Sequence, residues 1–168
     1  MANAIVVKSD IRAINIDAMN RTAKADVDIT NGTAVNLAFS ATEGDDVFVA
    51  TKATSGMAFN IGRREDLIIA TKNMLEKEHA EGYLLEATTG GWMAISPEVN
   101  LAEYGKVLAG VDARLFTNKA GKPFDVVKLE AGDIIQVSKD FFANGYAPSE
   151  VTGATTVALD SDGFKATV

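Results

Sequence analysis

The chain has 168 residues, 47% of them hydrophobic and 23% charged, with a net charge of −7 and no cysteine. That length suits one domain, and at 17.7 kDa about two-thirds of the unfolded surface is buried on folding, enough for a core without staples. The composition excludes disulfides, thiol catalysis and thiolate metal sites, and the acidic balance argues against nucleic acid, whose protein partners draw affinity from clustered Lys and Arg.

In chain order, the opening Met-Ala-Asn-Ala-Ile-Val-Val-Lys lacks the basic stretch and long apolar run of a secretory signal. No apolar run approaches membrane-spanning length, so no membrane partner is expected. Ile5, Val6, Val7, Ile11, Ile14 and Ile16 are strand-prone but irregularly spaced. Residues 1–16 are therefore expected to form a first strand or an arm that pairs with a neighbouring chain, with 17–168 a single mainly-β domain.

Four hairpins are then predicted. In the first, Ala25, Val27 and Ile29 alternate with charged residues, Thr30-Asn31-Gly32 turns the chain, and Val35, Leu37 and Phe39 alternate on the return. Others are expected to join Leu84–Ala87 to Trp92–Ile95 across Thr88–Gly91, and Leu115–Thr117 to Phe124–Leu129 across Asn118–Pro123. Gly132-Asp133 then turns the chain into Ile134–Val137. The last hairpin joins Val157 and Leu159 to Phe164, Ala166 and Val168 across Asp160-Ser161-Asp162-Gly163.

One short helix is expected over Asp66–His79, where Leu67, Ala70, Met74 and Leu75 fall near helical spacing, with Asp66 as cap, Gly82 as end and a strand as the competing assignment. Asp140–Asn144 is expected to form a helical turn ending at Gly145. The expected fold is thus mainly β: a small antiparallel sandwich- or barrel-like domain built from hairpins, with one short helix and an extended N-terminal arm.

No motif marks an active site. His79 reads as a dipole contact at the helix C-terminus rather than a base, since no nucleophile is placed with it. Asp160-Ser161-Asp162-Gly163 opens like a calcium loop, but a full loop needs a carboxylate six residues after the glycine and the sequence reaches only Val168, so it reads as a turn. Glu43-Gly44-Asp45-Asp46 reads as an acidic loop and Arg63-Arg64 as a solvated turn. No phosphate loop, dinucleotide fingerprint or Gly-x-Ser-x-Gly elbow occurs. No catalytic residue, cofactor or metal is therefore assigned. Trp92, the single tryptophan, is expected to anchor the core.

Several segments carry a resemblance: Met1–Asn15 with Asn20-Arg21-Thr22-Ala23, Trp92-Met93-Ala94 with Ser96-Pro97-Glu98, Phe116–Lys122 with Phe124-Asp125, and Gly132-Asp133-Ile134-Ile135. In these the chain resembles the small head proteins of tailed bacteriophages described as capsid decoration, cement or stabilising proteins. The resemblance implies a non-enzymatic, mainly-β virion protein on the capsid exterior, assembled in the host cytoplasm. Its implied partners are the phage major capsid protein and neighbouring copies of itself, a trimer at local three-fold positions being one arrangement. Ile5, Val6, Val7, Ile11, Ile14 and Ile16 would then bind the capsid by adding a strand to a sheet edge of the shell. The alternative is a carbohydrate-binding or adhesion module using Trp92, and a third is a hydrolase built on a carboxylate pair.

Overall fold

The computed structural model describes residues 3–7, 11–12, 19–42, 47–70, 77–96, 113–143, 146, 148 and 155–167. Five strands close a barrel: β1 (Met19–Lys24), β3 (Ala34–Phe39), β4 (Phe48–Lys52), β7 (Gly91–Ile95) and β9 (Phe124–Leu129), in the order β1-β4-β3-β7-β9. Every pairing around it is antiparallel except β1 with β4. A second, five-stranded antiparallel sheet has β5 (Ala58–Ala70), β6 (Lys77–Thr89), β10 (Ile134–Ser138), β11 (Thr156–Asp160) and β12 (Gly163–Thr167), ordered β10-β6-β5-β11-β12. A two-stranded ribbon joins β2 (Ile29–Thr30) to β8 (Thr117–Asn118). The protein is mainly β, as expected.

Two cores follow from the side-chain alternation of strands. The barrel lumen holds Ala23, Ala25, Ile29, Val35, Ala50, Ala94, Phe124 and Val126, with Leu37, Phe48 and Trp92 packed against them. Alanine at four of these positions fits the narrow interior of a five-stranded barrel. The larger core lies between barrel and sheet and combines Met93, Ile95, Val127 and Leu129 with Phe59, Leu85, Ile135, Val137, Phe141 and Phe164. Val126 and Val127 therefore serve opposite cores from adjacent positions, so the β7–β9 wall is buried on both faces. Trp92 packs against the lumen cluster but is only half-buried, a peripheral support of that core rather than its centre.

The turns expected from the sequence form, but most strands beside them pair elsewhere. Gly32 bends the chain at φ +79°, yet β2 pairs with β8 and β3 with β4 and β7, so Ala25–Phe39 is not a hairpin. The turn at Gly121 (φ +69°) is held by Gly121 N donating to Ala25 O (2.8 Å) and by Asp28, which accepts from Ala120 N (3.0 Å) and pairs with Lys119 (2.7 Å). That docking sends β8 to β2 while β9 joins β1 and β7, replacing the hairpin expected over 115–129. Leu115 lies in a 3-10 turn, Ala113–Leu115. β6 and β7 do not form a hairpin either: at Gly90 the chain leaves the sheet for the barrel. A Cβ on Gly90 would sit 2.2 Å from the Leu129 carbonyl oxygen, so only glycine permits this crossing. Gly132 (φ +95°) turns β9 into β10 as expected, again changing sheets. The C-terminal hairpin forms as expected, β11 pairing with β12 from Thr156↔Thr167 to Asp160↔Gly163.

The helix expected over Asp66–His79 is replaced by strand. Asp66–Ala70 ends β5 and Lys77–His79 begins β6, in register from Asp66↔Glu81 to Ala70↔Lys77; Thr71–Glu76 lie outside the described residues. The competing assignment wins because Asp66 is exposed and Leu67 buried, the alternation of a strand. Gly82 ends no helix: its bare Cα accommodates Leu67, whose Cγ would lie 2.5 Å from a Cβ there. The turn expected over Asp140–Asn144 appears as a 3-10 turn, Lys139–Phe141; Asn144 and Gly145 lie outside the described residues.

Candidate functional site

The N-terminal segment lies along the outer edge of β10 in its own chain. Val6 bridges Val137 and Arg12 bridges Ile134, both antiparallel. Val7 N donates to Gln136 O (2.9 Å), Ser138 N to Ile5 O (2.8 Å), and Arg12 and Ile134 exchange bonds of 2.8 and 2.9 Å. Ile5 N also donates to Ser138 Oγ (3.0 Å), and Asn3 Nδ2 to Phe116 O (2.8 Å). The two bridges are six residues apart on the arm and three on β10, so they do not belong to one regular ladder.

This pairing sorts the candidate contact residues. Val6 is 3% exposed and enters the larger core, its Cγ2 3.1 Å from where a Gly32 Cβ would stand. Ile11 and Ala4 pack on the same core, while Ile5 and Val7, the neighbours of Val6 along the arm, are half-buried. Ile14 and Ile16 lie outside the described residues. Because Val7 N and Ile5 O face β10, strand alternation turns the main-chain groups of Val6 away from it. The docked arm thus lies beside β10 as a segment joined by two isolated bridges, outside the regular strands of the sheet. Its irregular apolar spacing concealed this from sequence, since the two bridges do not share one two-residue period.

The acidic C-terminal turn has an internal cation. Lys165 Nζ lies 3.1 Å from Asp160 Oδ2 and 3.2 Å from Asp162 Oδ2, and 4.8 Å from the centre of the Tyr146 ring. Hydrogen bonding to Lys165, then to Ser161, holds the Asp160 carboxyl below its usual range, and Asp160 in turn raises Lys165. The segment read as a turn from its sequence forms one, with the Lys165 ammonium paired to both of its aspartates. Among the described residues no three His, Asp or Glu side chains gather as a metal site. Beside this turn a groove of about 500 Å³ opens at the seam between barrel and sheet, with Asn31, Lys52, Asp140 and Asp160 among its polar walls and Phe141 and Phe164 below. The acidic loop Glu43–Asp46 lies outside the described residues.

His79 sits on β6, where its Nδ1 lies 2.5 Å from Asp66 Oδ2 on β5; both side chains are exposed. The pair is a diagonal cross-strand contact, not a helix-terminal one. Arg64 pairs with Glu81 (3.5 Å) and donates to Pro148 O (3.0 Å). Tyr83 is buried, its hydroxyl donating to Glu81 Oε1 (2.8 Å) with Pro148 O also within reach at 3.1 Å.

Burial, then the hydrogen bond to Glu81, pushes the Tyr83 phenol up to about 12 from its ordinary 10.0. A folded-state pKa above the unfolded one means that this group's stabilisation is complete below pH about 10 and is lost as pH rises through about 12. Urea midpoints are therefore expected to fall across that window in the parent and to fall less steeply in Tyr83→Phe, with the parent alone showing a late phenolate absorbance step. Equal slopes would place Tyr83 in solvent.

No family model, curated protein or solved structure matches this chain.

Proposed function

We propose that the protein is a non-enzymatic virion structural protein that binds the outer surface of an icosahedral phage capsid and stabilises it. The observation that carries this reading is the docked arm: an apolar segment held along β10 by main-chain hydrogen bonds, with Ile5 and Val7 half-buried on either side of the buried Val6. A shell protein can bind along this edge of the sheet, using the partly exposed Ile5 and Val7 side chains for grip. The resemblance to phage head proteins at Met1–Asn15 covers this same arm. A net charge of −7 suits a protein held at high local density without nonspecific association. The major capsid protein is the partner under this reading, and repetition over the lattice turns modest single contacts into firm attachment.

The test is co-sedimentation of the full chain with expanded, DNA-free heads of the phage that encodes it. Binding is expected to saturate and to raise the temperature at which the heads disrupt. Heads that neither retain the protein nor gain thermal stability would overturn the reading. The glycan-binding alternative draws less support, because the Trp92 indole packs against the barrel-lumen cluster beside a niche of only about 140 Å³.

A further inference from the structure

We infer that two copies of this chain pair through the free edge of β3, antiparallel about a two-fold axis at Ala38. β7 covers β3 only at Ala34 and Val35, because β7 begins at Gly91 where the chain crosses from the sheet. Beyond Val35 no described strand lies on that side of β3. The hydrogen-bond alternation assigns the edge groups. Ala53 N donates to Ala34 O (2.9 Å) across the β4 side, and Ala94 N donates to Thr33 O (2.8 Å) across the β7 side. The main-chain N–H and C=O of Leu37 and Phe39 therefore turn outward on the uncovered edge, while those of Asn36 and Ala38 turn to β4.

Natural sheets protect such edges with lysine, proline, bulges or cover. This one has none of the first three. β3 keeps a regular register with β4, and Ile29–Thr42 is the longest stretch of the sequence without a charged residue. The edge ends in Phe39, which is 79% exposed and whose ring meets that of Phe48 with centroids 4.9 Å apart. Asn36 and Ala38 are exposed as well.

The occupant follows from charge and register. Two molecules of net charge −7 repel least where they meet through an uncharged surface, and this edge lies within the longest uncharged run of the sequence. An isologous pair must place each free residue opposite another free residue. Setting Leu37 opposite the partner's Phe39 does so twice, each pair exchanging two N–H···O=C bonds. Ala38 then faces the partner's Ala38 across the axis as a non-hydrogen-bonded pair, the closer of the two spacings, which a methyl group suits. The exposed Phe39 ring gains Leu37 of the partner subunit as its cross-strand neighbour. The reverse choice, Phe39 against itself, leaves Leu37 without a free partner residue on the strand.

The inference does not rest on the capsid role and is tested without heads. Sedimentation equilibrium of the full chain is expected to show a monomer–dimer equilibrium. Ala38→Lys places two ammonium groups at the axis, and Phe39→Pro removes an outward N–H while leaving the β3–β4 ladder intact; each is expected to weaken dimerisation about tenfold or more. Trp92 fluorescence and circular dichroism report whether each variant keeps its fold, and Ala38→Lys, at an exposed position, decides the matter if Phe39→Pro does not fold. A parent that stays monomeric at its highest soluble concentration, a trimer, or a folded Ala38→Lys variant that dimerises like the parent would overturn the inference.

Discussion

Truncating Phe59 to alanine is expected to cost about 3–5 kcal/mol of stability, a large part of the roughly 5–15 kcal/mol that holds a domain together. Phe59 is fully buried on β5, and its ring meets Phe141 edge-on at 5.9 Å and Phe164 at 5.5 Å. Those two stack at 4.3 Å, and Phe141 passes the contact to Phe142, which meets Tyr83 at 5.0 Å. The aromatic chain ties β5, β6, β12 and the 3-10 turn at Lys139–Phe141 into one packed body, so no neighbour can collapse into the vacated volume without leaving another ring unsupported. The melting temperature is expected to fall by about 6–20 °C. Leu115→Ala, at a position 68% exposed, serves as the contrast and should stay within about 0.5 kcal/mol of the parent. A Phe59→Ala variant that melts beside the parent would mean that the ring cluster is not packed as described.

Deleting residues 1–16 is expected to abolish attachment to heads and to destabilise the free protein. Loss of Val6 alone removes about 1.5–3 kcal/mol of apolar burial and opens the space against Gly32 and Phe141. It also bares β10, an edge strand carrying Ile135 and Val137, so the truncated protein should self-associate more readily. Two finer variants separate the effects. Val6→Ala should lower the melting temperature while keeping head binding, whereas Ile5→Ser with Val7→Ser should weaken binding with little change in melting. Undiminished binding of the truncated protein would remove the arm from the contact surface.

Much of the local geometry was legible in the sequence, and little of the pairing. The turns at Asn31-Gly32, Gly121, Gly132 and Gly163 all form, each with a glycine at positive φ, because turn chemistry is settled within a few residues. Which strand lies beside which is settled by burial far along the chain. Val126-Val127 was the available clue: two adjacent valines inside a strand signal burial on both faces, which a simple hairpin with one solvated face does not provide. Only the C-terminal hairpin kept its expected partner, since just Ser161 and Asp162 separate its strands. At Asp66–His79 the helix formers pointed one way and tertiary pairing the other, and Ile68 and Ile69, both β-branched, were the residues that favoured strand. For the arm, strand-prone composition was visible, but the inward turn of Val6 depends on the position of Gly32 and Phe141, which no local pattern encodes.

The barrel's closure also sets the order in which the protein can be made. β1 pairs with β9 from Met19↔Lys128 to Ala23↔Phe124, so the first barrel strand leaves the ribosome long before the strand that seals it. Until β9 emerges the lumen side chains of β3 and β4 stay exposed, and the arm has no resting place before β10 follows. Contacts of such long sequence separation fold slowly, and unpaired strands are prone to join the wrong chain while they wait. The nascent polypeptide therefore spends most of its synthesis with open edges, and its yield should depend on translation rate and on chaperones that shield β-strands far more than the finished fold would suggest.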